Sequence, residues 1–248
     1  MATIKGFIFD LDGVIVDTAK FHFKAWHRLA QDLGVNFTEA ENEQLKGVSR
    51  KESLEKILEW GNISLEAQEF EERMAQKNEW YLDFVREMGQ EEALPGAKEF
   101  LAESQKLNLA IGLGSASKNA ALILDLLEVT PLFQTIIDGT KVSNSKPNPE
   151  VFLKGAEALN LAPESLVVFE DSIAGIEAAN RGGFRSVGIG NKTILKDAEI
   201  VVSGLLRTAG TQNFMKVLNP YLALAMALWA KEQILKKTTA ELAYKVAT

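Results

Sequence analysis

From Pro95 onward the chain alternates between stretches of helical length and short apolar runs, and this alternation narrows the possible folds more than any other feature. A helix over 96–106 leads to the apolar run Leu109–Leu113, one over 119–127 to residues 135–138, and one over 149–159 to residues 166–169. A helix over 173–181 then leads to 184–189, and Ile200–Val202 can close the series. Runs this short, without polar alternation, read as strands covered on both faces. Strand and helix in strict succession imply parallel neighbours joined by crossover helices. Near the N-terminus Ile4, Phe7, Ile8 and Phe9 form another such run. The expected fold class is α/β, with a doubly wound parallel-sheet (Rossmann-like) core.

Residues 18–88 interrupt this pattern. Thr18–Leu33 sets His22, Trp26, Leu29 and Leu33 on one face, with Asp17 or Thr18 as N-cap and Gly34 as the stop. Ser49-Arg50-Lys51-Glu52 is a capping-box pattern that opens a second helix, carried by Leu54, Ile57 and Leu58 and ended at Gly61. A third runs from Ser64 to Met88, with Phe70, Met74, Lys77, Tyr81, Phe84 and Met88 along one stripe. The expectation is an all-helical insertion over 16–91 between the core segments 1–15 and 92–248, with hinges near 14–17 and 89–96. The tail, 204–248, holds an apolar stretch from Phe214 to Trp229, but Lys216 and Pro220 fall within it and it is short for a membrane span. It reads as a helix docked on the core or on a second copy of the chain, or as a poorly ordered extension. A monomer is expected, with a dimer through the tail left open.

Charge limits the partners. A net charge of −7 opposes bulk attraction to nucleic acid or an anionic membrane, so any bound phosphate must be held by a local site. The absence of cysteine removes disulfide and thiolate chemistry. No basic segment followed by a long apolar stretch opens the chain, and the expected location is cytoplasmic.

Ligands of parallel sheets gather at the carboxyl ends of the strands. The first run ends in Asp10, followed by Asp12 and Gly13; alone, that D-x-D-G is equally a surface turn. The run at 109–113 delivers Ser115 to the same rim, and the run at 166–169 delivers Glu170 and Asp171. Glu170 and Asp171 alone would suit a helix N-terminus. Four converging carboxylates call instead for a hard divalent cation, and Mg2+ suits carboxylates, water and a substrate phosphate. Ser115-Ala116-Ser117-Lys118-Asn119 leaves a strand and opens a helix, an arrangement that offers hydroxyls and backbone N–H groups to an anion, although either serine would also serve as an N-cap. Lys146 lies in Ser145-Lys146-Pro147-Asn148-Pro149, a stiff loop in which a lysine can neutralise a charge in transfer.

These segments, D-L-D-G-V, S-A-S, S-K-P-N-P and V-F-E-D-S in this order, resemble the four motifs of the haloacid dehalogenase superfamily of phosphotransferases. The resemblance implies that Asp10 is a nucleophile forming an aspartyl phosphate and that Asp12 is the general acid/base. It also implies that Asp10, Asp12 through its backbone carbonyl, Glu170 and Asp171 hold Mg2+. The insertion carries H-F-K-A-W, L-K-G-V-S-R and K-N, which resemble the sugar-phosphate mutases of that superfamily. By that resemblance Thr18 and His22 belong to the catalytic set with Ser115 and Lys146. Trp26, Gly47, Val48, Ser49, Arg50, Ser53, Lys77, Ser117, Lys118 and Asn119 surround the sugar phosphate. The implied activity is conversion of beta-glucose 1-phosphate to glucose 6-phosphate through beta-glucose 1,6-bisphosphate. A sugar-phosphate phosphatase is the alternative, and intact carboxylates and Lys146 speak against a catalytically silent binding protein. From spacing alone, Lys77 interrupts an apolar stripe and would snorkel to solvent.

Overall fold

The structure, a computed structural model, describes residues 3–205. The expectations for most of the tail therefore lie outside the described residues. Six parallel strands form one sheet in the order β3-β2-β1-β4-β5-β6: β1 (Gly6–Phe9), β2 (Ala110–Gly114), β3 (Thr135–Ile137), β4 (Leu166–Glu170), β5 (Arg185–Ile189) and β6 (Ile200–Val202). The chain steps outward from β1 to β3, returns to the other side of β1 at β4, and steps outward again. The order reverses between β1 and β4, where Phe9 stands opposite Phe169, and a crevice opens beyond such a point in doubly wound sheets.

Alternation along β1 decides which helices cover it. Phe7 and Phe9 point to one face, where they meet Phe169 and Phe100 of α5 (Ala97–Lys106); Phe9 and Phe169 stack at 4.7 Å. Ile8 points to the other, into a cluster with Phe152 of α7 (Glu150–Ala158) and with Ala178 and Ala179 of α8 (Ile173–Arg181). The remaining core helix is α6 (Ala120–Leu126). Gly114 ends β2 against the ring of Phe152, and a Cβ there would come within 2.7 Å of that ring.

The insertion contains α1 (Ala19–Asp32), α2 (Glu39–Glu43), α3 (Arg50–Gly61) and α4 (Ala67–Arg86). Trp26, Leu29, Leu54 and Ile57 anchor its own apolar core. The Ser49/Glu52 capping box forms as expected. Thr18 occupies the N-cap of α1, yet its side chain makes no capping bond. Two local expectations are corrected, at the end of α3 and the start of α4. The left-handed residue that ends α3 is Asn62 rather than Gly61, and extended backbone then delays α4 to Ala67, with Glu66 at its N-cap. The short α2 was not expected, because five residues with none buried carry no apolar stripe, although Thr38 and Glu41 form a second capping box. The two crossings between insertion and core run side by side, with Val16 paired antiparallel to Ala93 and Leu94 N–H donating to the Ile15 carbonyl.

Candidate active site

β1 ends one residue before Asp10, and the Asp10 N–H donates to the Phe169 carbonyl, so the adjacent strand holds the backbone of that aspartate. β4 ends in Glu170. Between them lies Lys146, which is buried and donates to Asp10 Oδ1 at 2.5 Å and to Glu170 Oε1 at 2.6 Å. The other Glu170 oxygen accepts from the Ser172 N–H and hydroxyl, at 2.7 and 2.9 Å. Ser172 Oγ in turn caps α8 by accepting from the Gly175 N–H. This tight packing explains Gly175, because a Cβ there would fall within 1.8 Å of Glu170 Oε1.

Charge in this corner is unbalanced. Burial pushes the Asp10 carboxyl well above its ordinary range; Lys146 opposes that push, while Glu170, Asp12 and Asp171 add to it. Burial likewise raises Asp12 to about 7, against the pull of Lys146 and Lys77. Asp171 also rises to about 7, through burial and the neighbouring Glu170, despite Lys46 at 3.6 Å. Lys146 moves the opposite way: burial would lower it, but Asp10 and Glu170 outweigh that and hold it charged. Among the described residues no three acidic or histidine side chains stand together as a ready ligand set. Lys146 occupies the space between Asp10 and Glu170, so the oxygens facing the cavity belong to Asp10, Asp12 and Asp171. The excess of carboxylates, the raised Asp12 and Asp171, and an unpartnered Asp12 Oδ1 fit a hard divalent cation.

The insertion closes the opposite wall. Arg50, the first residue of α3, donates to Asn78 Oδ1 at 2.6 Å, and Asn119 of the core donates to the same oxygen at 3.1 Å. Lys77 is buried rather than snorkelling: its Nζ lies 3.0 Å from His22 Nδ1, 4.4 Å from the Trp26 ring centroid and 4.9 Å from that of Tyr81. The stripe of α4 packs against α1, so the ammonium turns inward and Lys77 lines the cavity instead of the outer surface. Burial and Arg50 lower Lys77 well below its ordinary range, with Asp12 opposing; burial, Lys77 and Arg50 lower His22.

All the expected site residues except Thr18, Asn119 and Glu170 line one cavity of about 510 Å³, a size suited to a small ligand. Asn119 reaches that wall through Asn78, and Glu170 reaches Asp10 through Lys146. Val48 and Ser49 line the cavity beside Gly47; the Ser49 hydroxyl is engaged in its capping box, and Ser53 Oγ donates to the Ser49 carbonyl at 2.9 Å. The anion loop is less open than expected, since Ser115 Oγ accepts from the Ser117 N–H and Ser117 Oγ from the Asn119 N–H. Ser117 and Lys118 still face the cavity. The visible partners of His22 are Lys77 and the Tyr81 ring, 4.2 Å away.

Residues outside the expected set also matter. Asn78 bridges insertion to core, and its only sequence signal is its place after Lys77 in K-N. Lys46 spans Glu43 at 2.9 Å and Asp171 at 3.6 Å, the signal being its place before Gly47.

Three comparisons agree with this geometry. The haloacid dehalogenase-like hydrolase family matches residues 7–189. A beta-phosphoglucomutase of Bacillus subtilis is 39% identical over 201 residues, 80% of this chain and 89% of that protein. A phosphorylated carbohydrates phosphatase of Thermotoga maritima is 33% identical over 183 residues, 73% of this chain and 82% of that protein. The crystal structure of a beta-phosphoglucomutase from Clostridium difficile superposes with a TM-score of 0.81 at 42% identity, covering 85% of this chain and 96% of that one. The chain thus belongs to the haloacid dehalogenase-like hydrolase family and is a homologue of beta-phosphoglucomutases.

Proposed function

We propose that this enzyme is a Mg2+-dependent phosphomutase that converts beta-glucose 1-phosphate to glucose 6-phosphate. The observation that carries the reading is the presence of two separate cationic grips in one cavity. Lys146 stands at Asp10, and Arg50, tied to Asn78, stands in the wall contributed by the insertion. A bisphosphate intermediate needs both, one for the reacting phosphoryl group and one for the phosphate at rest. A hydrolase acting on one phosphate needs only the first.

In this reading Asp10 attacks phosphorus, the bond to the leaving oxygen breaks, and the phosphoryl group rests on Asp10. A carboxylate nucleophile divides one difficult transfer into two easier ones. Lys146, held charged by Asp10 and Glu170, offsets the negative charge gathered at the transferring group. Asp12, raised to about 7, both gives and accepts a proton near neutral pH, giving it to the leaving sugar oxygen and taking it back from the next attacking hydroxyl. Asp10, Asp171 and the Asp12 backbone carbonyl would hold the Mg2+, which when bound neutralises phosphate oxygens. Contact of Lys46 with Asp171 and of Asn78 with Asn119 keeps the insertion over the cavity and shields Asp10 from water.

The second reading, a sugar-phosphate phosphatase, is favoured by the Thermotoga relative. Phosphorus NMR separates the two. The protein is given Mg2+, beta-glucose 1-phosphate and a trace of glucose 1,6-bisphosphate, and the run is repeated with the alpha anomer. Glucose 6-phosphate formed from the beta anomer alone, with little free phosphate, is the expected result. Rapid release of inorganic phosphate without glucose 6-phosphate overturns it. A cytoplasmic monomer is the state in which we propose it works, and no helix among the described residues is long and apolar enough to cross a membrane.

A further inference from the structure

A loop of mostly exposed polar residues brings Lys146 to Asp10. Val142 packs against the cluster around Ile8, but Lys141, Ser143, Asn144 and Asn148 are exposed, and Val142 to Lys146 line the cavity without a break. Each residue of such a loop loses backbone entropy on ordering that side-chain burial does not offset, so hydrogen bonds must fix its shape.

Those bonds converge on one side chain. Glu150, the first residue of α7, accepts from the Ser143 N–H at 3.0 Å through Oε1 and from the Asn144 N–H at 2.8 Å through Oε2. The same Oε2 accepts from the Asn144 side-chain amide at 2.9 Å. Lys154, one turn along α7, lies 2.7 Å from Glu150 Oε1 and donates to the Lys141 carbonyl at 2.6 Å. Beyond Lys146 the Asn148 N–H donates to the Ser145 carbonyl at 2.9 Å, and Asn148 Oδ1 accepts from the Glu150 N–H at 3.0 Å. Lys146 is thus carried on a span whose two ends both return to the start of α7. Lys154 first, and the loop amides after it, hold the Glu150 carboxyl down at about 2, so both oxygens are acceptors at neutral pH.

A plainer role would need less. An acid in the first turn suits the helix dipole, and an i,i+4 pair with Lys154 supports an exposed helix. Neither duty calls for two consecutive N–H groups on the two oxygens of one carboxylate.

We propose that Glu150 is a positioning residue for Lys146: its carboxylate fixes residues 143 and 144, and through them the lysine that bridges Asp10 and Glu170. Glu150 itself does not line the cavity. The proposal deepens the phosphotransfer reading above and rests on Lys146 neutralising the group in transfer.

Shortening the side chain separates the two roles. Glu150→Asp keeps a negative charge in the first turn of α7 but withdraws it from the loop by about 1.5 Å. Turnover of beta-glucose 1-phosphate with Mg2+ is followed by phosphorus NMR. The Lys146 ammonium is followed in proton–nitrogen correlation spectra of isotope-labelled protein, its signal assigned by loss in Lys146→Ala. The expected result for Glu150→Asp is kcat lower by about tenfold or more with KM within about threefold, because displacing a group that acts at the reacting centre costs rate more than binding. The Lys146 signal should broaden or move, while the melting temperature stays within about 3 °C of wild type. Lys154→Met removes the exposed ion pair and leaves the two N–H bonds of Glu150, so its kcat should stay within about twofold and its Lys146 signal unchanged. Glu150→Gln keeps the length and one acceptor oxygen; its kcat should fall between wild type and Glu150→Asp, and it judges the proposal in the same way if Glu150→Asp does not fold. An unchanged kcat or an unchanged Lys146 signal overturns the proposal, as do a loss confined to KM, an equal loss in Lys154→Met, and a wild-type spectrum in which no Lys146 signal is seen. If wild type releases inorganic phosphate instead of isomerising, the mutase reading fails, but the ratio of variant to wild type still judges Glu150, since a hydrolase relies on the same lysine. A wild type that turns over nothing leaves the lysine signal to decide.

Discussion

Lys146 and Lys77 are both buried to about 2% exposure, and they differ in nearly everything else. Lys146 sits in the core between two carboxylates and is held charged. Lys77 sits in the insertion with a histidine nitrogen and two aromatic rings, and is pushed towards its neutral form. A buried charge is tolerated when it is paired and costly when it is not. The core lysine is therefore paired with carboxylates at rest, whereas the lysine of the insertion meets only a histidine and aromatic rings, and in the proposed function a substrate phosphate would be the partner it lacks.

The comparison breaks first at Lys146. Lys146→Ala leaves Asp10 and Glu170 facing each other without a cation, and losing one partner of a buried pair costs about 3–5 kcal/mol. Denaturant unfolding should register that loss, and turnover should fall by about 10²–10³ or more. A variant that stays within about 1 kcal/mol of wild type would mean the pair is worth little and that Lys146 is no anchor.

Next comes pH. Asp12 and Asp171 are each raised from 3.8 to about 7. Between those values the folded protein binds more protons than the unfolded chain, so stability is fully present below about 4 and is lost as pH climbs towards about 7. The two shifts together are worth on the order of 3 kcal/mol once the solvent beside both groups is allowed for. The melting temperature of chelator-treated protein should fall between pH 5 and pH 8. Mg2+ should restore more at pH 8 than at pH 5, because it binds the deprotonated carboxylates. A flat profile would mean that Lys146 and Lys46 already balance the site.

Lys77 tests the other side of the comparison with the opposite sign. Lys77→Met keeps the length and apolar contacts of the stem and removes an amine that nothing acidic pairs with. The free protein should gain about 1–2 kcal/mol in thermal melts, since replacing a poorly paired buried charge is often stabilising. Its affinity for glucose 6-phosphate by calorimetry should drop about tenfold or more. A loss of stability like that of Lys146→Ala would erase the distinction between the two lysines.

The same division separates what the sequence discloses from what it hides. The sheet is legible because buried strands leave apolar runs at regular spacing, and Asp10, Glu170 and Asp171 are legible because they stand where those runs end. The insertion discloses its helices through periodicity and the Ser49/Glu52 box, but not which way its polar side chains turn. Lys77 has the same place in the stripe whether it snorkels or is buried between rings, and only the packing of α4 on α1 decides. Thr18 takes the N-cap position that the sequence offers, but its hydroxyl makes no capping bond, and that the pattern does not show. Asn78 shows no cap or periodicity signal, only its place in K-N, and its simultaneous contact with Arg50 and Asn119 emerges only from packing.

The smallest expected effect comes from making the same change at two helix starts. Ser49 caps α3 in the insertion, accepting from the Glu52 N–H at 3.2 Å, and Ser172 caps α8 in the core, accepting from the Gly175 N–H at 3.0 Å. By capping alone each serine-to-alanine change costs about 1 kcal/mol, or about 2–4 °C in a chain of this size. Ser172 has a second duty, because its hydroxyl also donates to Glu170 Oε2, and the other oxygen of that carboxylate accepts from Lys146. Ser172→Ala should therefore cost about 1 kcal/mol more than Ser49→Ala, since a bond to a charged group is worth more than a neutral one. Ser49→Ala should instead weaken binding of glucose 6-phosphate more than it weakens the fold, because it loosens the turn that carries Arg50. Equal costs in both measurements would show that the carboxylate corner is no more tightly coupled than the insertion, and the contrast between the two buried lysines would then be local to those side chains.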